Sequence, residues 1–359
     1  MKKSRNFFIA FISCFIVIAV LCASLVVYVD PFFHYHAPLV GKNYIMKEQR
    51  YLNDGIVKNC DYNAMICGSS MTECFRPSVM DSLWGTKGIK VPFSGGSYYE
   101  VGNLMRLSCE SNENLQIVIR GLDCNRFFND KDERDYDDEN YPKYLYDNNY
   151  LNDVNYVFNK YAIINSALIL IGRGEAAKPS SFDTYSNWNN DYAFGKDAIL
   201  SSYNKDLVTP TNVSGSYTED TLTPEEKAII KANITQNVTD IADAYPNVEF
   251  YIYYTPYSIY YLDYYFRSAE LEKQRYAEEY ITSLLLEHEN IHVYSFYMKH
   301  ELIENPDYYK DLAHHGQDAS DMILEWIYNK EGELTKENYK AYYEELEEYY
   351  DSFDFDSLF

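Results

Sequence analysis

Positive charge is scarce in this sequence. It carries 31 Lys and Arg against 55 Asp and Glu, for a formal net charge of -24. Nucleic acid is therefore excluded as a partner, because phosphate contacts need clustered cations. Docking of the folded part on anionic lipid is disfavoured for the same reason. Metal-like cysteine spacing is also missing. Of seven cysteines, Cys14 and Cys22 fall in an apolar run, and Cys60, Cys67, Cys74, Cys109 and Cys124 form an odd set without a CxxC pair. That pattern argues against a disulfide framework or a zinc site, although one bridge is compatible with an oxidising compartment. No cofactor motif is recognised, and neither a cofactor nor a metal is expected. His34 and His36 are read as packing residues rather than ligands.

Hydrophobic residues are plentiful. At 47% of 359 residues they suffice for a sizeable core. Tyr is abundant at 39 residues, which suits a carbohydrate or mixed polar surface but is better read as general Tyr-rich usage at core and surface positions. A basic start, Met1-Lys2-Lys3-Ser4-Arg5, precedes an apolar run from Phe7 to Val29. That run is long enough to cross a bilayer as a helix and exceeds a usual signal-peptide core. Cations at its start predict that this end stays inside. The expectation is an uncleaved signal anchor in the cell membrane, single-pass, with the remainder extracytoplasmic. Cleavage after Ala23 and lipidation at Cys22 are both disfavoured by the bulky Leu21.

The expected organisation has four parts. Residues 1–30 form the basic start and anchor, 31–60 a juxtamembrane connector rich in aromatics and prolines, 61–330 the main domain, and 331–359 an acidic tail with a peripheral helix. Short apolar strands are predicted at Asn63–Cys67, Ile89–Phe93, Leu115–Ile119, Val248–Tyr254 and Ile291–Phe296. Helical patterns at Tyr98–Cys109, Pro224–Tyr245 and Ala269–Glu289 alternate with them. Apolar strands separated by amphipathic helices predict an α/β fold with a parallel sheet covered on both faces. The region 126–223 breaks the alternation and is read as an insertion that covers or flanks the site. Its apolar stretch Ala162–Ile171 is too short to span a membrane.

In parallel sheets, ligands bind at the carboxyl ends of the strands. Ser70 follows the first strand in Gly68-Ser69-Ser70-Met71, Gly95-Gly96 follow the second, and Asp123 follows the third. A serine hydroxyl needs a base, and a turn after a strand holds it clear of the sheet. Ser69 competes with Ser70, and a simple helix cap is the alternative reading of Gly-Ser-Ser. Near the end stands Asp311-Leu312-Ala313-His314-His315. A spacing of three lets a carboxylate meet an imidazole and fix its tautomer. His315 is the structural alternative to His314, and a plain polar loop is the alternative for Asp311. An N–H of Gly95 or Gly96, with that of Ser70, is placed to hold an oxyanion, and an ordinary turn is the competing reading.

These blocks resemble the SGNH branch of the GDSL hydrolases. Gly68-Ser69-Ser70-Met71 looks like the first block with Ser69 in place of Asp, Gly95 or Gly96 like the second-block glycine, and Asp311-Leu312-Ala313-His314 like the terminal DxxH. The resemblance implies a three-layer α/β/α, flavodoxin-like fold with Ser70 as nucleophile, His314 as base and Asp311 as its orienter. The third block departs: Gly121-Leu122-Asp123-Cys124-Asn125 stands where Gly-x-Asn-Asp is usual. An ionised Asp123 cannot donate to an oxyanion, and Asn125 is the nearby substitute. The layout is similar to membrane-anchored extracytoplasmic proteins of bacterial teichoic-acid D-alanylation and polysaccharide O-acetylation. That implies an envelope glycan or teichoic-acid-like substrate and, as acyl source, a multispanning membrane acyltransferase. Three functions remain open: an esterase or O-acyltransferase, a non-catalytic assembly protein of an envelope-modification pathway, and a carbohydrate-binding surface protein.

Overall fold

The structure, a computed structural model, describes residues 2–134, 141–147, 149–210 and 222–359. Parts of the 126–223 region therefore lie outside the described residues. The chain divides into two compact units, Met1–Asp61 with Tyr136–Ser181 and Tyr62–Asp135 with Phe182–Phe359.

The second unit is built on a six-stranded sheet. Its strands are β1 (Ala64–Gly68), β2 (Gly88–Pro92), β3 (Ile117–Leu122), β4 (Glu249–Tyr254), β5 (Ile291–Tyr294) and β6 (Glu333–Leu334). They lie in the order β2-β1-β3-β4-β5-β6, with the first five parallel and β6 antiparallel on β5. Every residue of β1 and β3 is buried, so both faces of the sheet are covered. This explains why the strands read as apolar runs rather than alternating ones. The five predicted strands form within a few residues of their expected bounds. β6 has no counterpart in the sequence reading, because two residues carry no periodicity. Among the described residues no disulfide is seen, and Cys67 is a core residue of β1.

The helices follow local signals. Tyr98–Ser111 starts on a capping box in which Ser97 Oγ accepts from Glu100 N–H (3.3 Å) and Glu100 accepts from Ser97 N–H (3.2 Å). The predicted helix from Pro224 to Tyr245 carries a π turn at Thr235–Thr239. There the carbonyl of Asn237 accepts from the fully buried guanidinium of Arg120 on β3. A π turn departs from the regular i→i−4 ladder, and here one of its carbonyls meets a buried cation. In the tail, Tyr339–Ser352 forms a helix with Tyr343, Leu346 and Tyr350 buried, in contact with helix Leu271–Leu285.

The contact between these helices includes Glu278, which accepts from Ser295 Oγ (3.0 Å) and Tyr343 OH (3.1 Å). Burial pushes its carboxyl from 4.5 up to about 8. The folded state thus holds a proton between about pH 4.5 and 8 that the unfolded chain has released. Stability from this group is fully present below pH 4.5 and falls as pH rises towards 8, by on the order of 5 kcal/mol. Thermal melting from pH 5 to 8 should show this decline, and Glu278→Gln should flatten it.

In the first unit, helix Lys2–Val29 is long and apolar enough to cross a membrane. Its end is tied off by Asp30, a buried residue at φ 52°. The Asp30 carboxylate accepts the N–H groups of His34 (3.0 Å), Tyr35 (2.6 Å) and His36 (2.8 Å) and the hydroxyl of Tyr156 (2.6 Å). Asp153 meets Tyr35 OH (2.9 Å) and His34 Nε2 (3.3 Å). His36 turns its ring nitrogens to the carbonyls of Ala37 and Val27. Gly55 of helix Gln49–Asn59 is required here, since a Cβ would stand 2.3 Å from the Phe32 carbonyl oxygen. The aromatic turn expected as a connector is therefore a packed knot. The apolar stretch Ala162–Ile171 lies within helix Lys160–Ile171, which packs against helix Lys2–Val29.

Candidate active site

β1 ends at Gly68 with φ 157°, where a Cβ would meet Thr72 Cγ2 at 2.6 Å. The close approach of the chain to itself makes a short 3₁₀ turn, Ser70–Thr72. Ser69 caps that turn: its Oγ accepts from Met71 N–H at 3.2 Å, and its side chain also bonds the Asp123 carboxyl. Ser69 is thus buried and engaged. Ser70 is half-buried, and its Oγ lies 2.8 Å from His314 Nε2.

His314 Nδ1 lies 2.9 and 3.0 Å from the two Asp311 oxygens. Asp311 Oδ1 also accepts the N–H groups of Ala313 (2.9 Å) and His314 (2.8 Å). Burial raises the Asp311 carboxyl, but the bonds from the His314 side chain and these two N–H groups outweigh it, so the group sits below the usual carboxylate range. The loop itself is pinned. Lys310 N–H bonds His314 O (3.0 Å), Gly316 N–H bonds Tyr308 O (2.8 Å), and Ser258 Oγ bonds Leu312 O (2.6 Å). His315 points the other way, into the core between Phe75 and Tyr309, and burial lowers its imidazole to about 4. Adjacent histidines thus receive opposite environments.

Ser70 and His314 open onto a cleft of about 110 Å³, lined also by Ser69, Gly95, Asp123, Asn125, Arg126, Tyr257 and Tyr261. Of the two glycines, Gly95 lines the cleft at φ 63°. The N–H of Gly96 closes a turn onto Phe93 O at 2.8 Å and is thereby occupied. No partner is found among the described residues for the Gly95 N–H. Asn125 is exposed at the cleft. Asp123 is buried and accepts from Thr255 Oγ1 (3.0 Å) and Tyr257 OH (3.2 Å). Burial raises its carboxyl, against the hydroxyls of Ser69, Thr255 and Tyr257. No group of three or more His, Cys, Asp or Glu stands together as a metal set among the described residues.

No protein-family model and no curated protein matches the chain in sequence. One solved structure is similar. It is a Streptococcus pneumonia protein, described provisionally as a platelet activating factor, with 10% sequence identity and a TM-score of 0.39. The match covers 79% of this chain and 90% of that one. A likeness so distant bears on neither fold nor activity.

Sequence reasoning did not find the residues behind His314. Trp188 stands edge-on to its ring at 6.0 Å, and Lys310 Nζ lies 3.8 Å from the Trp188 ring and 4.0 Å from that of Tyr192. Nor did it find Thr255 and Tyr257, which hold Asp123. These are scattered single residues that carry no spacing signal. In chemical terms, a hydroxyl, an imidazole and a carboxylate stand in line beside a small polar cleft, an arrangement able to move a proton off Ser70.

Proposed function

We propose that this chain is a membrane-anchored, extracytoplasmic serine esterase or O-acyltransferase with an SGNH-type, three-layer α/β/α arrangement. The strand order β2-β1-β3-β4-β5 is the flavodoxin-like one and supports that arrangement. The observation that carries the reading is the relay Ser70 Oγ–His314 Nε2 and His314 Nδ1–Asp311 at the carboxyl end of β1. In this reaction Ser70 Oγ attacks an ester carbonyl while His314 takes its proton. Asp311 holds Nδ1–H and stabilises the imidazolium. The N–H groups of Ser70 and Gly95 receive the oxyanion. Collapse expels the alcohol, which takes the proton back from His314, and leaves an acyl-Ser70 ester. Water or a sugar hydroxyl then repeats the sequence in reverse.

The substrate class proposed is an acylated envelope polymer, polysaccharide or teichoic acid, with a multispanning acyltransferase as acyl source. It rests on the layout of anchor and domain. Asp123 favours a second reading, a non-catalytic assembly protein of the same kind of pathway, because a carboxylate stands where the family's oxyanion donor is usual. A serine-directed fluorophosphonate separates the two. The catalytic reading predicts one adduct per chain, mapped by mass spectrometry to the peptide containing Ser70. A folded protein that takes up no adduct would leave the assembly reading.

A further inference from the structure

Helix Lys2–Val29 is covered unevenly. Every side chain from Lys3 to Ile18 is exposed, whereas Ala19, Cys22, Val26 and Val29, at helical spacing on one face, are partly or fully covered. Helix Lys160–Ile171 packs against this anchor helix. Depth follows from the rise per residue. A hydrocarbon core about 30 Å thick takes about 20 helical residues. Lys2, Lys3 and Arg5 cannot enter it, so a span that starts at Phe7 ends near Val26. The covered stretch from Ala19 to Val26 then lies inside the hydrocarbon, and whatever packs there shares that depth.

The packing helix suits that depth. Its sequence, Lys160 to Ile171, holds no acidic residue and is apolar around most of its circumference. Tyr161, Ile164, Leu170 and Ile171 are exposed, as are Leu151 and Phe158 just before it. At 12 residues it is too short to cross. Its ends are finished with polar groups: Asn159 caps the first turn, and Lys42 Nζ donates to Leu170 O at 2.8 Å. Large apolar side chains gathered on an exposed surface mark an interaction site. Cations at its ends and Tyr at its margin are the usual companions of a lipid interface.

We infer that helix Lys160–Ile171, with Leu151 and Phe158, is immersed in the same leaflet that the end of the anchor helix reaches, so that acyl chains are its partner. The chain thus grips the membrane by a spanning helix and by a second, non-crossing one. This inference rests on the reading of Lys2–Val29 as a membrane span. The test uses the full chain, purified and reconstituted in phosphatidylcholine–phosphatidylglycerol liposomes with or without dibrominated acyl chains. Tyr161→Trp, Ile164→Trp and, as a control in the anchor, Ile12→Trp are compared with the parent, whose Trp84, Trp188 and Trp326 supply the background. The added emission of all three variants should fall at least twofold in brominated lipid. Quenching of Ile12→Trp alone, with both helix variants unquenched, would overturn the inference and leave the anchor standing. Unquenched Ile12→Trp would remove the spanning reading and the inference with it. Blue-shifted but unquenched helix variants in an oligomeric sample would identify a second copy of the chain as the occupant and likewise overturn it.

Discussion

Ser70→Ala is expected to lower turnover of an activated acyl ester by about 10⁴- to 10⁶-fold, the scale seen when a triad nucleophile is removed. The fold should be unaffected. Ser70 is half-buried and, among the described residues, its Oγ bonds His314 Nε2, whereas the turn is held by Ser69 Oγ on Met71 N–H and by Thr72 Oγ1 on Ser69 O. Circular dichroism and melting temperature should match those of the parent. Ser69→Ala makes the informative contrast. It deletes the cap and a partner of Asp123, so its main cost falls on the turn's stability, about 1 kcal/mol, and fluorophosphonate labelling should persist. Equal turnover by parent and Ser70→Ala proteins would remove Ser70 from the reaction.

Asp311→Asn should be nearly as severe, about 10⁴-fold in turnover, with little change in melting temperature. The loss comes from the wrong tautomer of His314. Asp311 accepts from the backbone N–H groups of Ala313 and His314 through Oδ1, and an Asn carbonyl oxygen can keep both bonds. Its NH₂ then faces His314 Nδ1, which must become the acceptor. The proton moves to Nε2, and Nε2 can no longer take one from Ser70. Loop and cleft stay in place while the base is disabled. Steady-state kinetics on a nitrophenyl ester, with thermal melting of the same samples, separates this loss from misfolding. Asp311→Asn turnover within tenfold of the parent would mean that His314 is oriented by something else, and Trp188 at its edge is the candidate.

The parts of this site legible in the chain are those whose partners are near in sequence. Asp311 and His314 meet because three residues of loop bring a carboxylate back onto Nδ1. Ser97 and Glu100 cap their helix by the same kind of local geometry. The strands were legible because both sheet faces are covered, which turns them into apolar runs. The Ser69–Ser70 choice was not legible. Both are small hydroxyl residues in one turn, and only the tight approach at Gly68 and the buried Asp123 draw Ser69 inward. The Gly95–Gly96 choice was equally closed, since it depends on which N–H the turn onto Phe93 consumes.

Composition, hydropathy and short motifs determined an apolar anchor-length helix, an α/β alternation and the three residue types of the candidate relay. Tertiary structure alone decided that Ser70 and His314, 244 residues apart, stand 2.8 Å from each other. It also decided that His315 is buried while its neighbour faces the cleft, that Asp123 is ringed by hydroxyls, and that helix Lys160–Ile171 packs on helix Lys2–Val29. The physical reason is range. Helix caps, turns and burial periodicity are set by neighbours within a few residues and leave a pattern in the chain. Which N–H is occupied, which carboxylate is desolvated and which serine meets the imidazole depend on packing across the sheet, where any polar residue of suitable size can be recruited and no spacing marks it in advance.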